Sequence, residues 1–213
     1  PTGQKIRNTR VCSNRLGTGR GRVERNRRGV EGGVNDRGGI LVMGAPDAAN
    51  PDAANNRTYG FRFFRENAGV MQRFKLNVGT GATDSWFDGG ASADVAPNTG
   101  EWVHFAFTIS STRAAVYING EIAKTGALSG ISWEGCDLLS IMSGAPRFTG
   151  WNHRSDESLM DELRLFNREL SRAEIQQLMQ DESGLSAGYT PVYEGETFYM
   201  SFDDAFTEKV SGT

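Results

Sequence analysis

The residues able to do chemistry are few, and the histidines come first because there are two, His104 and His153. His104 lies in GEWVHFAFTISSTRAAVYINGEI, two positions after Trp102. A histidine that activates a nucleophile needs a serine or cysteine within reach and a carboxylate to orient it. No H-E-x-x-H pair occurs, and His153 belongs to a different segment. Alternation along EWVHFAFTIS puts Val103, Phe105, Phe107 and Ile109 on one side and Trp102, His104, Ala106 and Thr108 on the other. The expectation is a sheet histidine bonded to a neighbour, with Trp102 in the core.

Carboxylates are the next candidates. In DESLMDELR, Glu157 and Asp161 fall on the same side of a strand, with Glu162 beside them. Paired acids could hydrolyse a glycosidic bond if they stood about 5–10 Å apart across a cleft. A third chemistry needs no proton transfer. A pyranose ring offers a C–H face to an aromatic plane and a rim of hydroxyls to polar groups. Trp86 in TDSWFDGG and Trp151 in FTGWNHRSDE both lie in polar, turn-rich stretches. Asn152, His153, Arg154 and Asp156 accompany the second. Trp86, Trp151, Asn152, His153 and Asp156 are therefore the candidate ligand-binding residues; the competing reading makes each tryptophan an anchor packed on the fold. Arg62 and Arg65, beside Phe63 and Phe64, read equally well as solvated charges at a sheet edge.

Composition narrows the classes. The chain has 213 residues, 38% hydrophobic, with 27 glycines and 12 phenylalanines, which fits a turn-rich β core. No run approaches the ~20 apolar residues of a membrane-spanning helix. Cys12 and Cys136 stand far apart without metal-type spacing. The first 37 residues hold ten Lys and Arg against three acids, whereas the rest hold thirteen against twenty-three. Arg/Gly-rich arms bind nucleic acid through charge, but no aromatic residue interleaves here for base stacking, so no nucleic-acid partner is expected. The chain does not open on Met, which fits a processed or partial piece of a longer protein.

These residues need elements to hold them. After residue 38, GGILVMGAP, TYGFRFFRE, QRFKLNVG, EWVHFAFTIS, AAVYING, EIAKTG, DLLSIMSGAP and SLMDELRLFN read as short strands separated by Gly, Ser, Asn or Pro. Phe61 shares a face with Tyr59 and Phe63, and Phe74 with Leu76 and Val78. Asn119-Gly120 marks a two-residue hairpin. SRAEIQQLMQDESG opens with Ser171 and Glu174 in capping-box spacing and puts Ile175, Leu178 and Met179 on one side, predicting a single helix. Many short strands and one helix predict an all-β, two-sheet antiparallel sandwich or jelly roll.

The order EWVHFAFTIS…AAVYINGE, DLLSIMSGAPRFTGW, MDELRLFNRELSRAEIQQL resembles the laminin G-like, concanavalin A-like jelly-roll family, from about Gly38 to Gln180. The resemblance implies a sandwich over 38–182 with one short C-terminal helix. It implies a noncatalytic module that binds a poly- or oligosaccharide, or acts as a spacer, on an exported bacterial surface protein with neighbouring modules of the same polypeptide. Glycoside hydrolases share the fold, but the Glu-x-Asp-x-x-Glu signature of the laminarinase-like enzymes is absent. A structural Ca2+ ion, often held in relatives between the first strand and the Asp-Glu-x-Arg strand, would map to Asp203 or Asp204 and to Asp161. Residues 1–37 show no family first strand, whereas ETFYMSFDD near the C-terminus does. Residues 183–213 are thus expected to be a linker and the opening strand of a second similar module. Alternatively, the Phe198–Phe202 strand fills the sheet position that the first module lacks.

Overall fold

The computed structural model describes residues 10–17 (backbone only), 37–97, 101–156, 158–183, 193–200 and 202. Its strands are β1 (Arg10–Gly17), β2 (Arg37–Gly44), β3 (Phe61–Ala68), β4 (Met71–Gly79), β5 (Asp84–Asp88), β6 (Asp94–Val95), β7 (Trp102–Ile109), β8 (Arg113–Ile118), β9 (Glu121–Ala127), β10 (Leu138–Ile141), β11 (Leu159–Phe166) and β12 (Glu196–Met200). One helix, α1 (Arg172–Ser183), lies between the last two. The strands form two antiparallel sheets. The first runs β12-β11-β1-β7-β8-β9, and the second β10-β2-β3-β4-β5 with β6 also paired to β4. This is the two-sheet, all-β architecture that the alternation predicts.

Period-two burial explains why the sheets face each other. Phe61, Phe63, Phe74, Leu76, Val78 and Phe87 of the second sheet meet Phe105, Phe107, Ile109, Val116 and Leu163 of the first. Phe63 stacks on Phe105 at 4.9 Å and lies 5.0 Å from Phe107, while Phe61 lies 5.2 Å from Phe107. Each such ring contributes roughly 1.5–3 kcal/mol by burial and about 0.5–1.5 kcal/mol more per well-placed aromatic pair. The β8–β9 turn has Asn119 at φ 49° and Gly120 at φ 76°, the type I′ geometry that Asn-Gly favours. His104 is buried, and Asn119 fastens the turn to its backbone: the His104 N–H donates to Asn119 Oδ1 at 3.0 Å, and the Asn119 N–H to the His104 carbonyl at 2.7 Å. That histidine is architecture.

Helix α1 covers the outer face of the first sheet. Ile175 and Leu178 pack with Ala106, Ala115, Tyr117, Phe166 and Leu170. The two alanines leave room for the helix to approach the strands. Its start is the predicted capping box: the Ser171 N–H donates to Glu174 Oε2 at 2.7 Å, and the Glu174 N–H to Ser171 Oγ at 3.3 Å. Arg168 and then that capping bond hold the Glu174 carboxyl down to about 2.

Three expectations change. The segment over residues 1–37, read as lacking any family-type strand, contains β1, which pairs with β11 on one side and β7 on the other from Arg10↔Ile109 to Gly17↔Trp102. Its sequence, RVCSNRLG, has too few apolar residues for alternation to reveal it. A sheet interior instead specifies a strand through the ladders on its two sides. Second, of the two readings of the C-terminal strand the alternative holds: β12 joins this sandwich, pairing Leu165↔Phe198, Arg164↔Tyr199 and Leu163↔Met200 at an edge of the first sheet. Third, Trp102 is 44% exposed rather than core. It opens β7 on the helix side, about 13 Å along the strand from Ala106, where α1 sits.

Candidate functional site

The outer face of the second sheet brings the sugar-binding candidates together. Asp84, Trp86 and Asp88 alternate outward on β5, beside Arg73, Lys75 and Asn77 of β4. The segment joining β10 to β11 folds over this face, with Phe148 buried against Val42 and Phe64. Beneath it His153 stacks on Phe148 at 4.5 Å and meets Phe64 edge-on at 4.6 Å. Gly144 makes the fold-over possible, since a Cβ there would lie 1.9 Å from the His153 carbonyl oxygen and 2.3 Å from that of Phe148.

Trp151, carried by this segment, stacks on Trp86 with ring centroids 5.8 Å apart and planes 28° from parallel. Trp86 is 39% exposed and Trp151 half-buried. Asn152, at φ 64° and exposed, stands beside them. Arg57 is the member that sequence reasoning missed. Its Cζ lies 4.7 Å from the Trp151 ring centroid and 5.7 Å from that of Trp86. Its Nε is 3.3 Å from Asp84 Oδ2, which accepts a hydrogen bond from Asn77 Nδ2 at 2.7 Å. Arg37 also reaches this segment, Nη1 donating to the Trp151 carbonyl at 3.1 Å. No local pattern links positions 37, 57, 86 and 151; the signal available was only that NNRTYG is a polar loop.

Buried polar groups set this loop. Arg62, expected as a solvated charge, is wholly buried. Its Nη2 donates to the Tyr59 carbonyl at 2.7 Å and to that of Asn56, and Nη1 to that of Arg57 at 3.4 Å. Burial lowers this guanidinium to about 10. Two backbone bonds join the loops: the N–H groups of Thr149 and Gly150 donate to the Ala54 carbonyl at 2.8 and 3.0 Å.

Two predicted ligand residues lie beneath the surface. His153 is fully buried, with Nε2 3.2 Å from Glu66 Oε1 and neither ring nitrogen in a well-aligned hydrogen bond. Burial pushes its pKa down, overriding the pull of Glu66. Glu66 is held at about 2, by His153 first and also by Lys75 at 3.0 Å. Asp156 accepts from Arg65 Nε at 2.5 Å and from the Ser158 N–H at 2.8 Å, its side chain shut off from solvent. Gly38 admits it, since a Cβ there would meet Asp156 Oδ2 at 2.1 Å. Both residues shape the segment that presents Trp151; their buried polar atoms are out of reach of a surface ligand.

Of the three predicted metal ligands, Asp161 is the one among the described residues. Asp161 lies on β11, and the carboxylate next to it, Glu162, is already engaged by Tyr199 Oη at 2.8 Å and Arg164 Nη2 at 3.1 Å. No group of three His, Cys, Asp or Glu suited to a metal occurs among the described residues. Asp203 and Asp204, the other predicted ligands, lie outside them.

A family model described as the Concanavalin A-like lectin/glucanases superfamily, of laminin G type, matches residues 33–176. No match is found among the curated proteins. Among solved structures, a candidate carbohydrate-binding protein from Bacteroides ovatus superposes with TM-score 0.56 at 16% identity, over 98% of this chain and 49% of that one. This chain thus spans about half of its length. A heptameric SAP-like pentraxin from Limulus polyphemus gives 0.54 at 15% identity, covering 95% of this chain and 80% of the other. The CBM40 of Ruminococcus gnavus IT-sialidase, bound to α2,3-sialyllactose, gives 0.54 at 15% identity, covering 81% and 82%. At these identities the likeness is one of fold.

Proposed function

Because the chain belongs to the concanavalin A-like lectin/glucanases superfamily, we propose that it is a noncatalytic module that binds an oligo- or polysaccharide at the Trp86–Trp151 pair. The observation that carries this reading is the stack itself, half open to solvent and edged by Arg57 and Asn152. Aromatic surface of this kind packs against the C–H face of a sugar ring, and the polar groups at its edge meet the hydroxyls. A passive spacer has no use for two stacked, partly exposed tryptophans. The setting proposed is an exported bacterial surface protein with further modules, supported by the bacterial sources of two of the carbohydrate-related neighbours.

Hydrolysis is the less suitable reading. A general acid must keep its proton near neutrality. On this face Glu66 is held at about 2 and Asp94 is pushed down by its hydrogen bonds from Arg73. The one G-x-S-x-G string, residues 184–188, follows the helix instead of linking a strand to one, and lies outside the described residues.

The test is a glycan array followed by affinity electrophoresis with wild type, Trp86→Ala and Trp151→Ala. Retardation by at least one polysaccharide, lost in both variants, is the expected result. Binding untouched by either substitution, or no binding to any glycan, would sink the reading.

A further inference from the structure

Resting on that reading of the tryptophan pair, we propose that the glycan carries a carboxylate and that Arg57 is the residue that holds it. The guanidinium lies against the Trp151 ring at 4.7 Å, with its side chain 32% exposed. Its contact with a protein carboxylate is through Nε, 3.3 Å from Asp84 Oδ2. Among the described residues neither Nη of Arg57 makes a hydrogen bond, so N–H donors lie beside the exposed indoles. Guanidinium N–H donors match the two oxygens of a carboxylate, and stacking on an aromatic ring holds them in one orientation.

The pairing of charges on the face points the same way. Each of its described carboxylates already has a cation: Glu66 and Asp88 share Lys75 at 3.0 Å, Asp94 takes Arg73 at 2.6 Å, and Asp84 takes Arg57 Nε and the Asn77 amide. Arg37, by contrast, donates to the Trp151 carbonyl and has no carboxylate partner among the described residues. Arg37 is thus, among these residues, a cation without a carboxylate, and it and the Nη groups of Arg57 border the aromatic strip. A neutral sugar could fill the strip but would leave these N–H donors without a charged acceptor. A uronic or sialic acid residue brings a C–H face for the indoles and a carboxylate on its rim.

Titration calorimetry with matched probes tests this: trigalacturonate against its methyl ester, and 3′-sialyllactose against lactose. Wild type, Arg57→Gln, Arg57→Lys and Trp86→Ala are compared, with circular dichroism to confirm folding. At least one acidic probe should bind about ten-fold or more tighter than its neutral partner, the scale of one charge-assisted contact. Arg57→Gln should erase that preference, Arg57→Lys restore part of it, and Trp86→Ala remove binding altogether. Neutral probes that bind as tightly as acidic ones, with both lost in Trp86→Ala, would overturn the carboxylate assignment while leaving the tryptophan site standing. Binding of none of the probes, or binding indifferent to Trp86→Ala, would count against the carboxylate assignment; the wider array result then decides whether the site itself falls.

Discussion

The buried guanidinium of Arg62 donates to the Tyr59 carbonyl at 2.7 Å and so holds, from beneath, the loop that lays Arg57 across two tryptophans. The same side chain also reaches the carbonyls of Asn56 and Arg57. A residue with no exposed surface thus positions one at the surface.

Replacing Arg62 with Leu should therefore act twice. Three backbone carbonyls lose their donor, which costs about 1–3 kcal/mol for each one left buried and unmet. Urea denaturation should show a loss of at least about 2 kcal/mol, and hydrogen exchange should speed up selectively over residues 54–60. Uniform exchange across the sandwich would mean the loop is held by something else.

Gly144 offers a cleaner probe of the fold-over segment. A Cβ there would press on the carbonyl oxygens of His153 and Phe148, both backbone atoms. Gly144→Ala should displace Trp151 while the two sheets keep their core. The expected signature is a changed indole fluorescence spectrum and lost glycan retardation, with a modest fall in Tm. An unchanged spectrum and full binding would show that the segment tolerates the methyl group.

On the opposite side, Arg164 joins β11 to β12. It lies 3.8 Å over the Tyr199 ring, donates to Glu196 at 2.6 Å and to Glu162 at 3.1 Å, and is wholly buried. Arg164→Ala strands two carboxylates and should cost about 3–5 kcal/mol. Adding Glu196→Gln and Glu162→Gln should recover part of this, because the buried charges go with them. No recovery in the triple variant would point to lost ring packing, not charge.

Two groups near Trp151 make stability depend on pH in successive windows. The folded pKa of His153 is lowered by burial from 6.5, so the unfolded chain takes up its proton first and stability falls as pH drops below that value. Glu66 is lowered from 4.5 to about 2, so its contribution is present above 4.5 and lost as pH falls towards 2. His153→Phe should flatten the upper window and Glu66→Gln the lower one in Tm-versus-pH curves. A His153→Phe profile that parallels wild type between pH 7 and 5 would refute the first assignment.

Much of this fold was readable in single segments. The alternating phenylalanines of EWVHFAFTIS, the Asn119-Gly120 turn and the Ser171–Glu174 cap each express a local rule, in which backbone geometry and side-chain spacing decide the outcome within a few residues. Trp86 and Trp151 were nameable as aromatic residues in polar stretches for the same reason. Strand β1 was not, because RVCSNRLG has little alternation of its own and is specified by ladders to β7 and β11.

Local pattern along the chain was enough to establish the two-sheet sandwich, its helix and hairpin, and the residue types able to meet a sugar. It took the folded chain to show that Arg57 and Trp151 close on Trp86, that Arg62 and Asp156 are buried supports, and that Trp102 is left in water. Those outcomes depend on which loops cross which sheet face. Burial and charge pairing between distant segments leave no periodic trace along the chain, so only the folded arrangement shows them.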